Sequence, residues 1–180
     1  MVHPWHDIPV DPDRVAEEFP AVIEVPRGSV NKYELDKATG LLRLDRVLHS
    51  AVHYPADYGF VPRTLCEDGD AIDVLVLSQG PVHPLTIVRA RPIGMFRMRD
   101  EAGADDKILA ISLGDPAWRH VRHHCELPEH ITNQILRFFA DYKALEHKEV
   151  VVERMLGPEE AVRAVRGSLE AYERSGIAPA

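Results

Sequence analysis

Residues 21–48 read AVIEVPRGSVNKYELDKATGLLRLDRVL. Three short runs, AVIEVP, NKYELD and LLRLDRVL, are rich in Val, Ile, Leu and Tyr, and the turn-like Lys37-Ala38-Thr39-Gly40 joins the last two. This is the texture of antiparallel strands rather than of helix. In the third run Leu42, Leu44, Arg46 and Leu48 fall on one face, which places Arg46 among apolar neighbours, where a charge needs a reason.

Outward from this core, residues 1–20 hold Pro4, Pro9, Pro12 and Pro20 and read as a surface arm, with room for a short helix over Asp13–Phe19. On the other side, His49–Leu65 contains Tyr54-Pro55-Ala56-Asp57-Tyr58-Gly59-Phe60. Its Pro and Gly interrupt regular structure, and the segment reads as an ordered loop at a buried edge. Further strands are expected at Ile72–Leu77, in one or two pieces over Leu85–Met98, at Ile108–Ser112 and at Val150–Met155. Helical spacing appears late. Ile131, Ile135, Phe138, Phe139, Tyr142 and Leu145 mark a helix over 128–147, and Val162, Val165, Leu169 and Tyr172 mark a second over 158–174. Strands first and helices late argue for an α+β fold, a small antiparallel barrel over 21–112 with flanking helices, in a single catalytic domain spanning 1–180.

Composition narrows the function. The 180 residues are 45% hydrophobic and 28% charged, ordinary for a globular domain. The 29 acids against 21 bases give a net charge of -8, the wrong sign for tracking a nucleic-acid backbone, so no nucleic-acid partner is expected. No apolar run reaches membrane length, the N-terminus lacks a signal-peptide pattern, and the two cysteines, Cys66 and Cys125, fit a reducing compartment. The expectation is a cytoplasmic protein without a membrane partner.

The chemistry concentrates in Asp68-Gly69-Asp70-Ala71-Ile72-Asp73, where three carboxylates crowd the entry to an apolar strand. Like charges about 4 Å apart repel by roughly 4 kcal/mol at an effective dielectric near 20, so converging acids there must bind protons or cations. Hard oxygen donors favour magnesium, manganese or calcium. An EF-hand is excluded, because its loop wants Asp or Asn where Ile72 stands and Gly where Asp73 stands. Taken alone, the stretch reads more readily as a solvated acidic turn. A second acidic turn with Asp100 and Asp105, also flanking apolar strands, favours one shared site at a barrel mouth. Lys32 and Glu34 alternate on one strand face, and Arg46 lies on the next strand.

Together these stretches resemble the soluble family I inorganic pyrophosphatases of the bacterial type. The resemblance rests on Glu24 in IEVP, Lys32 and Glu34 in NKYELD, Arg46 in LDR, YPADYGF, the acids Asp68, Asp70 and Asp73, DEAGADDK with Asp100, Asp105 and Lys107, and Tyr142 and Lys143 in FFADYKALE. It spans Glu24 to Lys143, about two-thirds of the chain. It implies an OB-like five-stranded barrel with flanking helices, and hydrolysis of pyrophosphate to two phosphates with several Mg2+ ions, for which Mn2+ or other divalents could substitute. On that reading Glu24, Asp68, Asp73, Asp100 and Asp105 hold metals, and Asp70 takes the proton of the attacking water, with Asp105 as the alternative base. Lys32, Arg46, Lys107, Lys143, Tyr58 and Tyr142 grip phosphate oxygens, Tyr58 acting also in catalysis, and Glu34 and Tyr54 support them. A homo-oligomer, hexameric in the family, is the expected assembly.

Some residues depart from the family pattern. Ala71 replaces a usual Pro, Glu146-His147-Lys148-Glu149 replaces a Gly-Lys-Trp stretch, and Met155-Leu156-Gly157 lacks a usual Trp. Arg137 and Asp141 stand where many bacterial relatives carry histidines that contribute to subunit contacts. His120, His123, His124 and Cys125 have zinc-like spacing if His120 and His124 share a helix face, but with no second ligand pair they read as a surface histidine patch, as do His3 and His6. Two rival functions remain. An oligonucleotide-binding barrel would need a basic, aromatic groove, and aromatics are 7% of the chain. A metal-dependent hydrolase of nucleoside triphosphates or other diphosphates would use the same acids, though no P-loop is visible.

Overall fold

The run Phe19–Val25 forms β1, and every residue from Ala21 to Val25 is buried. A strand buried on both faces must lie inside a sheet covered on both sides, and its two neighbours are β4 (Asp57–Phe60) and β6 (Ile87–Asp100). In the computed structural model, which describes residues 2–100, 103–146 and 150–177, pairing continues from β4 to β5 (Asp73–Leu77), then to β8 (Lys107–Ser112), and from β8 back to β6. Because β6 also pairs with β1, these five strands close a ring, the OB-like barrel. One ring contact, β5 with β8, is parallel, so the barrel is mostly rather than wholly antiparallel. The short β7 (Gly103–Ala104) and β9 (Val151–Leu156) extend from β6.

The segment read as a loop is in part a barrel strand. Pro55 stops short of β4, and Gly59 does not break it: a Cβ there would lie 1.8 Å from the Val22 carbonyl oxygen, so glycine is what lets β4 approach β1. Likewise β6 is one 14-residue strand, with a register shift between Pro92 and Gly94. A Cβ on Gly94 would come within 2.7 Å of the Leu156 carbonyl oxygen of β9.

Alternation along the strands sorts the apolar side chains into two clusters. Leu75, Leu77, Leu109 and Ile111 gather with Ile135, Phe138 and Phe139 of helix α1 (Glu129–Asp141). Val74, Val76, Ile108 and Ala110 gather with Ala161, Val165 and Leu169 of helix α2 (Pro158–Ser175). The first helix is shorter than its apolar spacing predicts, ending at Asp141 and followed by a 3-10 turn at Ala144–Glu146. Pro158 at the first turn and Gly176 at φ 64° bound α2.

Two surface expectations differ. The N-terminal residues form turns rather than a helix and are anchored, with Trp5 and Val15 buried and the Trp5 indole donating to the Thr64 carbonyl at 2.9 Å. The hairpin of β2 (Asn31–Leu35) and β3 (Leu42–Val47) is a separate two-stranded sheet, half-buried along β2 and open along much of β3, where Leu44 is 55% exposed instead of lying on an apolar face.

Candidate functional site

The parallel pairing of β5 and β8 sets Asp73 directly beside Lys107, each the first residue of its strand. Lys107 is 1% exposed. Its ammonium donates to Asp73 and, at 2.6 Å, to Asp105, with the Tyr58 hydroxyl at 3.4 Å. Tyr58 comes from β4 and donates to Asp73 Oδ2 at 2.5 Å. Burial alone would discharge the lysine, but the carboxylates of Asp73 and Asp105 more than offset this and hold its pKa well above the ordinary range. Burial raises Asp105 despite its lysine, and burial with Asp73 nearby keeps the Tyr58 hydroxyl protonated.

Glu24, on β1, is 7% exposed. Its Oε1 accepts the Leu35 N–H at 2.6 Å, yet burial pushes its carboxyl up to about 8. The Asp68–Asp70 turn is held from below: Gly69 takes φ 84°, Asp68 Oδ1 accepts the Asp70 N–H at 2.9 Å, and the Asp70 carbonyl accepts the Cys66 N–H at 2.7 Å.

These groups share a cleft of about 540 Å³ between the barrel, the β2–β3 hairpin and the end of α1. Of the acids singled out by sequence, Glu24, Glu34, Asp68, Asp70, Asp73 and Asp105 line it. So do Lys32, Lys107, Lys143, Tyr54, Tyr58 and Tyr142. Arg46 is not among its lining residues. It is held by Glu146 at 2.9 Å and Asp45 at 2.7 Å, while its Nη2 is buried without a hydrogen-bond partner among the described residues. Asp100 closes β6, and its side chain lies outside the described residues. Lys32 pairs with Glu34 and, at 3.3 Å, with Asp45.

Several lining or supporting residues escape sequence reasoning. Lys37, read as part of a turn, pairs with Asp70, donates to the Gly69 carbonyl at 3.0 Å and stands 5.5 Å from the centre of the Trp5 ring. Asp45, its neighbour on β3, and Glu146, from the 3-10 turn after α1, anchor Arg46. Spacing carries no signal for the Lys37–Asp70 and Arg46–Glu146 contacts, which arise only when the hairpin meets the acidic turn and the segment after α1. The donor set fits hard divalent cations: carboxylates dominate one wall, and one of them, Glu24, is so desolvated that its ionised form needs a positive partner.

Comparison with known proteins agrees with this geometry. The family model described as Inorganic pyrophosphatase matches residues 21–173. The chain is 53% identical over 170 residues to a soluble inorganic pyrophosphatase of Oryza sativa subsp. indica, covering 94% of this chain and 79% of the relative. It is 53% identical over 172 residues to soluble inorganic pyrophosphatase 2 of Chlamydomonas reinhardtii, covering 95% and 88%. The crystal structure of the Thermus thermophilus inorganic pyrophosphatase superposes with a TM-score of 0.89 at 41% identity, over 94% of this chain and 99% of that one. The Helicobacter pylori enzyme superposes with a TM-score of 0.87 at 40% identity, over 92% and 98%. In sequence and in fold, the chain belongs to the inorganic pyrophosphatase family.

Proposed function

We propose that this protein hydrolyses pyrophosphate to two orthophosphates, with magnesium as its working cofactor and manganese as a substitute. The observation that carries this reading is the buried Lys107 held between Asp73 and Asp105, with the Tyr58 hydroxyl against it, opening into a cleft that combines seven acids with four lysines. A polyanionic substrate and its cations together complement such a wall, whereas either alone does not.

Asp68, Asp73 and Asp105 would hold the ions, with Glu24 and Asp100 supporting them. Divalent ions bound there supply charge neutralisation for the diphosphate and acidify the attacking water. Asp70, exposed on the turn, takes the proton of that water as its oxygen bonds to phosphorus and the bridging P–O bond breaks. Lys32, Lys143 and Tyr142 bind phosphate oxygens, Arg46 offers its unpartnered Nη2, and Lys107 with Tyr58 donates toward charge developing on the leaving phosphate. No covalent intermediate is required, since phosphoryl transfer is mostly positioning and electrostatics.

Two further readings accompany this. A homo-oligomer is supported by large apolar side chains left exposed, among them Leu44 on β3 and Val151 on β9. A cytoplasmic setting is supported by two free cysteines; among the described residues no helix is long and apolar enough to cross a membrane. The activity is tested by phosphate release from pyrophosphate and from ATP, each with and without magnesium. Rapid magnesium-dependent release from pyrophosphate alone supports the reading, equal release from ATP favours a broader phosphohydrolase, and none from folded protein removes it.

A further inference from the structure

The loop before α1 gathers three ligand-bearing side chains away from the acidic cleft. His120 is not one of them, since residues 120–123 are not helical and the spacing that would pair it with His124 does not form. Instead the 3-10 turn His124–Glu126 and its cap, His123, bring consecutive residues together. The His123 and His124 ring centres are 4.5 Å apart, and the Cys125 Sγ lies 3.8 Å from His124 Nδ1. One ligand atom from each of the three residues falls within 4.8 Å of the others, the only such trio of His, Cys, Asp or Glu among the described residues.

We infer that His123, His124 and Cys125 form a second metal site, for a zinc-class ion, chemically distinct from the acidic cleft. Two imidazoles and a thiolate are borderline-soft donors, which suit zinc or cobalt and are poor ligands for magnesium. The hydrogen bonds assign the liganding nitrogen of His123. Its Nδ1 accepts the Cys125 N–H at 3.1 Å, so a lone pair points there and the neutral ring carries its proton on Nε2. An ion bound at Nδ1 takes the place of that amide.

The far nitrogen faces carboxylates. A methyl group placed on Gly157 would lie 3.3 Å from His123 Nε2, 3.0 Å from Glu159 Oε2 and 3.3 Å from Glu160 Oε2, so all three border one small space at the start of α2. A carboxylate beside the unbound N–H of a liganding histidine fixes its tautomer and strengthens it as a donor. Adjacent ligands in a tetrahedral site with bonds of about 2.0–2.3 Å stand roughly 3.3–3.8 Å apart, so the turn must tighten by about 1 Å. An exposed cysteine on a three-residue turn leaves room for that movement. Water completes the shell. The bound ion would fix the turn that leads into α1, and the far end of α1 leads directly to Tyr142 and Lys143 in the cleft.

The test is titration of the reduced, chelator-treated full chain with cobalt(II) in a large excess of magnesium, which occupies the hard oxygen donors. The expected result is one cobalt per chain with a thiolate-to-cobalt charge-transfer band in the near ultraviolet. The band is lost in Cys125→Ser and strongly reduced in His123→Ala and His124→Ala, but kept in Cys66→Ser. Zinc should also raise the melting temperature of the parent protein and not that of Cys125→Ser. Absence of the band in the parent protein, its persistence in Cys125→Ser, or its loss only in Cys66→Ser overturns the site. None of these readings depends on pyrophosphate turnover, so a failure here leaves the catalytic proposal standing.

Discussion

The two walls of the cleft are built on different terms. On the barrel wall, Lys107 and Tyr58 are buried, and the groups against them, Asp73 and Asp105, are bound into the same hydrogen-bonded set. On the hairpin wall, Lys37 and Arg43 are largely exposed, and their ion pairs, to Asp70 of the acidic turn and to Glu34, are open to solvent. A buried charge stripped of its partner costs several kcal/mol, whereas an exposed pair contributes at most about 1 kcal/mol. The barrel wall therefore makes the site part of the fold, while the hairpin wall can move to meet a substrate without unfolding anything.

Breaking the barrel wall should have the largest effect. Lys107→Met leaves two desolvated carboxylates facing each other, and the expected loss is about 3–5 kcal/mol of stability by denaturant titration, together with loss of turnover. Asp73→Asn in the Lys107→Met background should recover part of that stability without recovering activity. If Lys107→Met is as stable as the parent protein, the two walls do not differ in the way described.

Glu24 sharpens the contrast through pH. Its folded-state pKa is raised from the ordinary 4.5 to about 8, so in metal-free protein the folded form holds a proton that the unfolded chain releases. Stability from this group is present below the unfolded value and is lost as pH rises toward 8. A divalent ion offsets the loss, so the rise in melting temperature given by magnesium should grow between pH 6 and pH 9. The growth should flatten in Glu24→Gln.

On the hairpin wall, effects should appear in substrate binding. Lys32→Ala and Arg46→Ala each remove charge-assisted hydrogen bonds of about 1.5–3 kcal/mol, which predicts roughly a tenfold to hundredfold rise in KM. Melting temperatures should change much less than in Lys107→Met. The smallest change is expected for Lys37→Met, which frees Asp70 from an exposed partner. Turnover should change less than about fivefold, since such pairs contribute at most about 1 kcal/mol.

The difference between the walls also explains what the sequence could reveal. Alternation in β5 and β8 sorts apolar residues by face, so those strands and the acids at their ends were legible, as was the amphipathic spacing of both helices. The strand β4 was hidden because Gly59 looks like a breaker until β1 is seen pressed against it. The parallel step from β5 to β8, which makes Asp73 and Lys107 neighbours, is a matter of topology that local pattern does not encode. Arg46 was expected on an apolar face because alternation says nothing about whether that face of a hairpin is covered. The pairing of Lys37 with Asp70 joins two segments far apart in sequence, and neither carries a motif for the other.

The most direct test of the account is single-turnover hydrolysis of pyrophosphate by Asp70→Asn with saturating magnesium, read beside its melting temperature. Asp70 is exposed and linked mainly to Lys37, so the variant should melt within a few degrees of the parent protein while the hydrolytic step slows by about 10²–10⁴. A folded, magnesium-binding Asp70→Asn that turns over within twofold of the parent protein would contradict the assignment of the proton acceptor and, with it, the role given to the exposed wall.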